Sequence, residues 1–206
     1  MVTIDVLAGG AAADTPPPAF YFDLFSPEAY LAAERVLELL PVAAEWIPVL
    51  AAGLPRADSL EGWRCETDRE AYLDRVERTA RRRGLQPLRW PQPFPFDSAL
   101  AMRVATYARQ IGRTVPFALA AFRQAFAGGR DLGLPDNVLI AAAACEMHPN
   151  AVTKAASLRS VAARLDAATA LAARRSVRDV PAVWTPAGEV FHGDEALEQA
   201  ARALAG

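Results

Sequence analysis

Cysteine is scarce in this 206-residue chain: Cys65 and Cys145 are far apart, and neither belongs to a CxxC. That argues against a dithiol oxidase, and the expectation is two free thiols rather than a structural disulfide. Histidine is equally rare, with only His148 and His192. No His, Cys and Asp spacing suggests a metal site, and there is no glycine-rich phosphate loop. Lysine is reduced to Lys154 alone, while arginine and alanine abound, the composition of a GC-rich bacterial genome. Neither sign of charge dominates. A net charge of −2 gives no general attraction to nucleic acid or an acidic membrane surface. No apolar run approaches the roughly 20 residues of a membrane span. Residues 1–18 lack the basic start and apolar run of a secretory signal, so a cytoplasmic location is expected.

What the chain does have is apolar residues, 52% of the total, enough for a substantial core in one domain, or one domain carrying a sizeable insertion. Residues 1–18 end in three prolines and read as a mobile lead-in. The stretch Ala19 to Leu31 comes next. Phe20-Tyr21-Phe22-Asp23-Leu24-Phe25 has the composition of a buried strand. Ser26 can cap a helix, Pro27 suits its first position, and Glu28 meets the positive end of its dipole. That helix is expected from Pro27 to about Leu40, stopped by Pro41. Ala44 to Leu50 reads as a second strand, and strand, helix, strand without a hairpin turn implies a parallel crossover.

The next hundred residues contain almost no strand-like sequence. A short turn is expected over Ser59–Trp63, then a helix from Thr67 or Asp68 that ends in Arg81-Arg82-Arg83, read as a solvated helix end. Leu85 to Phe96, LQPLRWPQPFPF, is too rich in proline for a helix or central strand and should be a fixed, extended loop. Asp97 or Ser98 caps the next helix. Further helices are expected near Pro116–Ala127, Pro135–Met147 and Ala151–Arg175, with glycines at the joints. Strand chemistry returns at Val180–Thr185 and Glu189–Phe191, joined by Pro186-Ala187-Gly188, a hairpin signal. A final amphipathic helix runs from Asp194 to about Ala205. This order, βαβ, a helical block, then ββα, predicts an α/β thioredoxin-like fold with a large all-helical domain inserted in its middle. The expected units are 19–52 with 176–206 as the thioredoxin-like domain and 53–175 as the helical insertion with its connecting helix.

The motifs carry a resemblance as well. FYFDLFSPEAYL is similar to the opening of the 2-hydroxychromene-2-carboxylate isomerases and kappa-class glutathione transferases, a branch of the DsbA-like thioredoxin-fold proteins. RWPQPFPFDS resembles that branch's R-W-P-x-x-F-P-x-N loop. Ser176 to Pro181 resembles its G-V-x-G-V-P-T segment, and Phe191 to Leu197 stands where it has W-G-[QNS]-D-R-L. The resemblance covers about Phe20 to Leu204. It implies that Ser26 occupies the place of the first redox cysteine and meets the sulfur of glutathione or another low-molecular-weight thiol, while Ala29 stands where a second cysteine would be. It further implies that Val180 is a backbone clamp beside a cis Pro181, and that Asp194 and Glu195 hold the polar end of the thiol. A substrate cleft formed by Phe25, Trp90, Phe94, Phe96, Asp97 and His192 follows in the same way. Two departures weigh against glutathione itself: Glu195 has the longer carboxylate, and Ala196 replaces the motif's arginine.

The activity so implied is a thiol-dependent isomerisation or transfer on a hydrophobic aromatic or conjugated electrophile, by reversible thiolate addition. Its partners would be a small hydrophobic substrate and, in a homodimer, a second copy of the chain, with no nucleic acid and no membrane. The alternative is a redox-silent thioredoxin-fold module that binds a small molecule or protein without catalysis. The alternatives are a trans Pro181 at a strand edge, Asp194 as an N-cap, and the three loop aromatics as core residues.

Overall fold

The structure, a computed structural model, describes residues 15–55 and 66–206. Most of the lead-in expected over 1–18 lies outside the described residues, as do the turn expected over Ser59–Trp63 and Cys65.

One mixed sheet in the order β2-β1-β3-β4 organises the chain. β1 is Ala19–Phe22, β2 Glu45–Pro48, β3 Ala182–Trp184 and β4 Val190–His192. β1 runs parallel to β2, with Phe20 opposite Trp46, and antiparallel to β3, with Phe20 opposite Val183. β3 and β4 form the expected antiparallel hairpin, which turns through Gly188 at φ +89°, a conformation glycine adopts without steric cost. All four residues of β1 are buried. A central strand covered on both faces reads as an unbroken apolar run rather than an alternation, which is how it looks in the sequence.

Nine α-helices are described: α1 Pro27–Ala33, α2 Val36–Leu39, α3 Glu66–Arg82, α4 Ala99–Gln110, α5 Thr114–Phe126, α6 Pro135–Ala143, α7 Pro149–Ser157, α8 Arg159–Arg174 and α9 Ala196–Ala205. Helices α3 to α8 lie between β2 and β3, so the fold is a thioredoxin-like one with a helical block in its middle, as the order of elements predicts. Several boundaries differ. The strand expected from Phe20 to Phe25 ends at Phe22, because Asp23 to Phe25 turn the chain into Ser26. The helix expected from Pro27 to Leu40 is two. The Arg35 N–H bonds to the Ala32 carbonyl in a tighter turn, and the two residues at the break are drawn into ion pairs, Glu34 with Arg123 and Arg35 with Glu198. The helix expected from Ala151 to Arg175 begins at Pro149 and is broken at Leu158, whose extended backbone ends α7 and starts α8. The break lets α7 lie on α6 while α8 reaches β2. α6 stops at Ala143, and Glu146 at φ +59° redirects the chain before α7.

The two faces of β1 feed two cores, as the period-two geometry of a strand requires. Phe20 and Phe22 join Trp46, Met102, Phe122 and Phe126 in a cluster that continues through the helical block. Tyr21 points the other way, into a cluster with Ile47, Val177 and Trp184. There Arg175 lies 4.0 Å from the centre of the Trp184 ring and donates to the Tyr21 hydroxyl at 3.0 Å. Among the described residues no helix is long and apolar enough to cross a membrane.

Candidate functional site

Ser26 is placed by the turn that follows β1. Its N–H donates to the Asp23 carbonyl at 3.1 Å, and its Oγ accepts the Ala29 N–H at 3.1 Å. The residue therefore caps α1, as its type predicts, and Pro27 fills the first helical position without wasting an N–H. Ser26 is 1% exposed, yet it lines a pocket of about 280 Å³. Because Oγ is engaged as an acceptor, its own O–H is the group left to donate to a ligand.

The opposite wall comes from the far end of the chain. The Val180–Pro181 peptide is cis, as the resemblance implies, and the Pro181 carbonyl accepts the Gly193 N–H at 3.0 Å. Gly193 sits at φ +80°, a backbone that bars most side chains and brings the β4–α9 turn over the pocket. Val180 departs from its expected role in one respect: its N–H donates to Asp179 Oδ1 at 2.7 Å, so the clamp's donor is already engaged by a side chain. Asp194 does not cap α9, whose N-cap is Glu195 without a side-chain bond. Its Oδ1 lies 2.8 Å from Arg83, and its carbonyl also accepts from Arg83. Arg83 is correspondingly not a solvated helix end, its side chain being only 14% exposed.

The structure brings together Ser26, Val180, Pro181 and Asp194 around this pocket and adds Glu28, Tyr72, Arg75, Asp179 and Gly193. Tyr72 Oη donates to Glu28 Oε2 at 2.7 Å, and Arg75 reaches Glu28 Oε1 at 3.3 Å. Burial pushes the Glu28 carboxyl above the usual range. The Tyr72 hydrogen bond and the Arg75 charge pull it back, and the Asp179 charge adds to the rise. Burial and the Glu28 charge likewise raise Tyr72, which stays a neutral donor. Behind Ser26, burial lifts Asp23 to about 6 despite hydrogen bonds from the Ala51 N–H and the Ser98 hydroxyl. Beyond Asp194, burial raises Glu198. The hydrogen bond from Arg35 and the charges of Arg35 and Arg83 outweigh that, leaving its carboxyl below the ordinary value.

Other expected site residues lie elsewhere. Phe94 and Phe96 are buried in the core, ringing Phe126 together with Trp90. The Trp90 indole N–H donates to Glu77 at 2.7 Å. These three are packing residues and do not line the Ser26 pocket. Asp97 is exposed and its Oδ1 accepts the N–H of Ala99, the first residue of α4, at 2.9 Å, while the N-cap position itself is Ser98 without a side-chain bond. Phe25 is half-buried against both cores, and Glu195 is exposed. His192 lines a neighbouring hollow with Asp179 and Val180, where its Nε2 accepts the Arg178 N–H at 3.0 Å. A larger hollow of about 480 Å³ lies away from Ser26, between β1, β2, α4 and α8. No cluster of metal-ligating side chains occurs among the described residues, and Cys145 is a free, buried thiol.

With this geometry, comparison with known proteins is informative. The profile of the DSBA-like thioredoxin domain matches residues 19–205. No curated protein sequence matches the chain. Among solved structures, a 2-hydroxychromene-2-carboxylate isomerase superposes with a TM-score of 0.79 at 21% identity, covering 92% of this chain and 95% of that one. A probable DsbA oxidoreductase from Streptomyces coelicolor gives 0.74 at 18% identity, covering 91% and 88%. The cytosolic disulfide reductase DsbM from Pseudomonas aeruginosa gives 0.64 at 14% identity, covering 92% and 96%. At such identities the likeness is one of fold.

Proposed function

The chain belongs to the DSBA-like thioredoxin domain family, and we propose that within it this protein binds a low-molecular-weight thiol and works as a thiol-dependent isomerase or transferase on a hydrophobic conjugated electrophile. One observation carries the reading: Ser26, the cis Val180–Pro181 peptide and Asp194, from opposite ends of the chain, line one small pocket. With Ser26 and Ala29 at the ends of the S-P-E-A turn, the protein has no dithiol of its own there, so the sulfur must arrive with a ligand.

The donor set fits the sulfur end of such a ligand. The Ser26 O–H can donate to a sulfur anion, because the Ala29 N–H already occupies its acceptor side. Arg83, just after α3, holds Asp194 against the pocket, which provides a guanidinium beside the acid although Ala196 lacks one. Asp194 can then accept from a ligand's ammonium group. The Val180 carbonyl can pair with a ligand amide, while its N–H is engaged by Asp179. The bound thiol would supply a nucleophile that adds reversibly to a conjugated carbon, making a double bond rotatable until elimination restores it. The protein's share of the work is anion stabilisation and positioning.

Ser26→Cys tests the reading directly. A thiol seated with its sulfur at position 26 meets the new cysteine in place, so mild oxidation gives a mixed disulfide selectively with the cognate thiol and faster than with mercaptoethanol. Intact mass across a panel of disulfides that includes glutathione reads the result, with wild type as the control for Cys65 and Cys145. Equal modification by every disulfide would overturn the proposal and favour a binding module of another kind.

A further inference from the structure

The pocket holds a carboxylate that neither the capping of α1 nor the packing of the core requires. Glu28 stands two residues after Ser26, and its side chain is 18% exposed, folded under α3 rather than extended into water. Both of its oxygens are directed by α3: Oε2 by the Tyr72 hydroxyl at 2.7 Å and Oε1 by Arg75 at 3.3 Å. Arg75 also lies over the Tyr72 ring, 5.2 Å from its centre. From the segment before β3, Asp179 faces the same space, and Asp194 lines it with Arg83 behind. A surface acid at a helix start would be favoured by the dipole while staying hydrated. This one is taken out of water, held by two side chains, and set on the wall next to Ser26.

Building on the thiol reading, we propose that Glu28 is the proton acceptor of the site, taking the proton of the bound thiol and returning it when the thiol leaves. The S–H bond breaks and its electron pair stays on sulfur, facing the Ser26 O–H. The proton goes to a Glu28 carboxylate oxygen, and nothing else is consumed. The physical reason is that a thiolate and a carboxylate cannot both be ionised in one pocket of about 280 Å³ without mutual repulsion. The pair therefore holds one proton between them. Burial makes Glu28 a better base than an ordinary carboxylate. Tyr72 is a positioning residue, whose hydroxyl favours the charged form of Glu28 before the thiol arrives. Arg75 acts in the same sense from the pocket mouth, while Asp179 opposes both by favouring the protonated form.

The test measures protons rather than turnover. Reduced glutathione, cysteamine and N-acetylcysteine are titrated into the full-length protein. Thiolate is read by ultraviolet absorbance, and net proton release by calorimetry in buffers of different ionisation enthalpy. S-methylglutathione serves as the ligand that cannot ionise. The wild type is expected to form thiolate near neutral pH while releasing far less than one proton per thiolate, because Glu28 keeps it. Glu28→Gln, which preserves the shape and can still accept from Tyr72, is expected to release about one proton for every thiolate formed. Tyr72→Phe keeps the carboxylate but removes a bond to its charged form, and is expected to move the pH at which the free protein loses this proton upward. Equal proton release per thiolate in wild type and Glu28→Gln would overturn the assignment of Glu28 while leaving the thiol reading intact. Failure of all three thiols to bind the wild type would overturn the thiol reading, and this inference with it.

Discussion

Asp23 follows β1 directly and is 1% exposed, in contact with the Ala51 N–H and the Ser98 hydroxyl. Burial costs its ionised form more than those bonds return, so its carboxyl is raised from 3.8 to about 6. A raised acid binds its proton more tightly in the folded state. Its contribution to stability is present below the unfolded value and is lost as pH rises through the folded one. The shift corresponds to about 3 kcal/mol. Asp23→Asn cannot ionise, so urea unfolding should show wild type losing up to about 3 kcal/mol relative to the variant between about pH 4 and 7. Parallel stability curves would mean that the carboxylate is not penalised. Ser176 presents a different residue-scale strain. It sits at φ +65° after α8, the left-handed position at which glycine commonly ends a helix, and the resembled G-V-x-G-V-P-T segment has glycine there. Ser176→Gly should therefore raise stability by about 0.5–1 kcal/mol, read from denaturation midpoints. The second glycine of that segment corresponds to Asp179, whose carboxylate occupies the Val180 N–H.

At the scale of elements, α3 does the most to define the site although it lies in the helical block. Tyr72 and Arg75 lie about one turn apart on α3, and Arg83 follows directly after its last residue, about 16 Å along the axis from Tyr72. Tyr72 and Arg75 hold Glu28 on α1, while Arg83 holds Asp194 in the β4–α9 turn. α3 and the residue that follows it thus fix both walls of the pocket. Arg83→Met retains the apolar stem but leaves Asp194 without its cation, and should cost about 1–3 kcal/mol in chemical denaturation. Adding Asp194→Asn should recover part of that loss, because the residual penalty is an uncompensated charge. Additive losses in the double variant would show that the ion pair is not what holds the turn. None of this is visible from composition. The arginine run before Gly84 has the look of a helix end facing water, and its sequence does not distinguish Arg83, which is half-buried, from Arg81 and Arg82, which are exposed.

Over the whole molecule, strands and helical block share one core. Phe22 of β1 contacts Trp46 of β2 at 6.0 Å and Phe122 of α5 at 5.9 Å between ring centres, so neither part can lose its packing alone. Thermal unfolding followed by far-ultraviolet circular dichroism and by tryptophan fluorescence should therefore give one coincident transition. Two separated transitions would show that the helical insertion unfolds independently. The sequence by itself determined the order of elements, the buried central strand, the Gly188 hairpin and the capping role of Ser26. Each of these is set by local chemistry, such as an aromatic run, a capping Ser-Pro pair or a turn glycine, and local chemistry is what a sequence displays; that Ser26 and Pro181 share a pocket was implied only by the resemblance of their motifs. Only the tertiary structure decided that Tyr72 and Arg75 face the pocket, that Arg83 backs Asp194, and that Trp90, Phe94 and Phe96 do not line it. A ligand wall and a hydrophobic core use the same aromatic side chains, and which of the two a residue joins depends on what packs against it. The rotation of α3 about its axis and the folding of the proline-rich loop onto Phe126 are settled by contacts between residues far apart in the chain, and no local pattern encodes them.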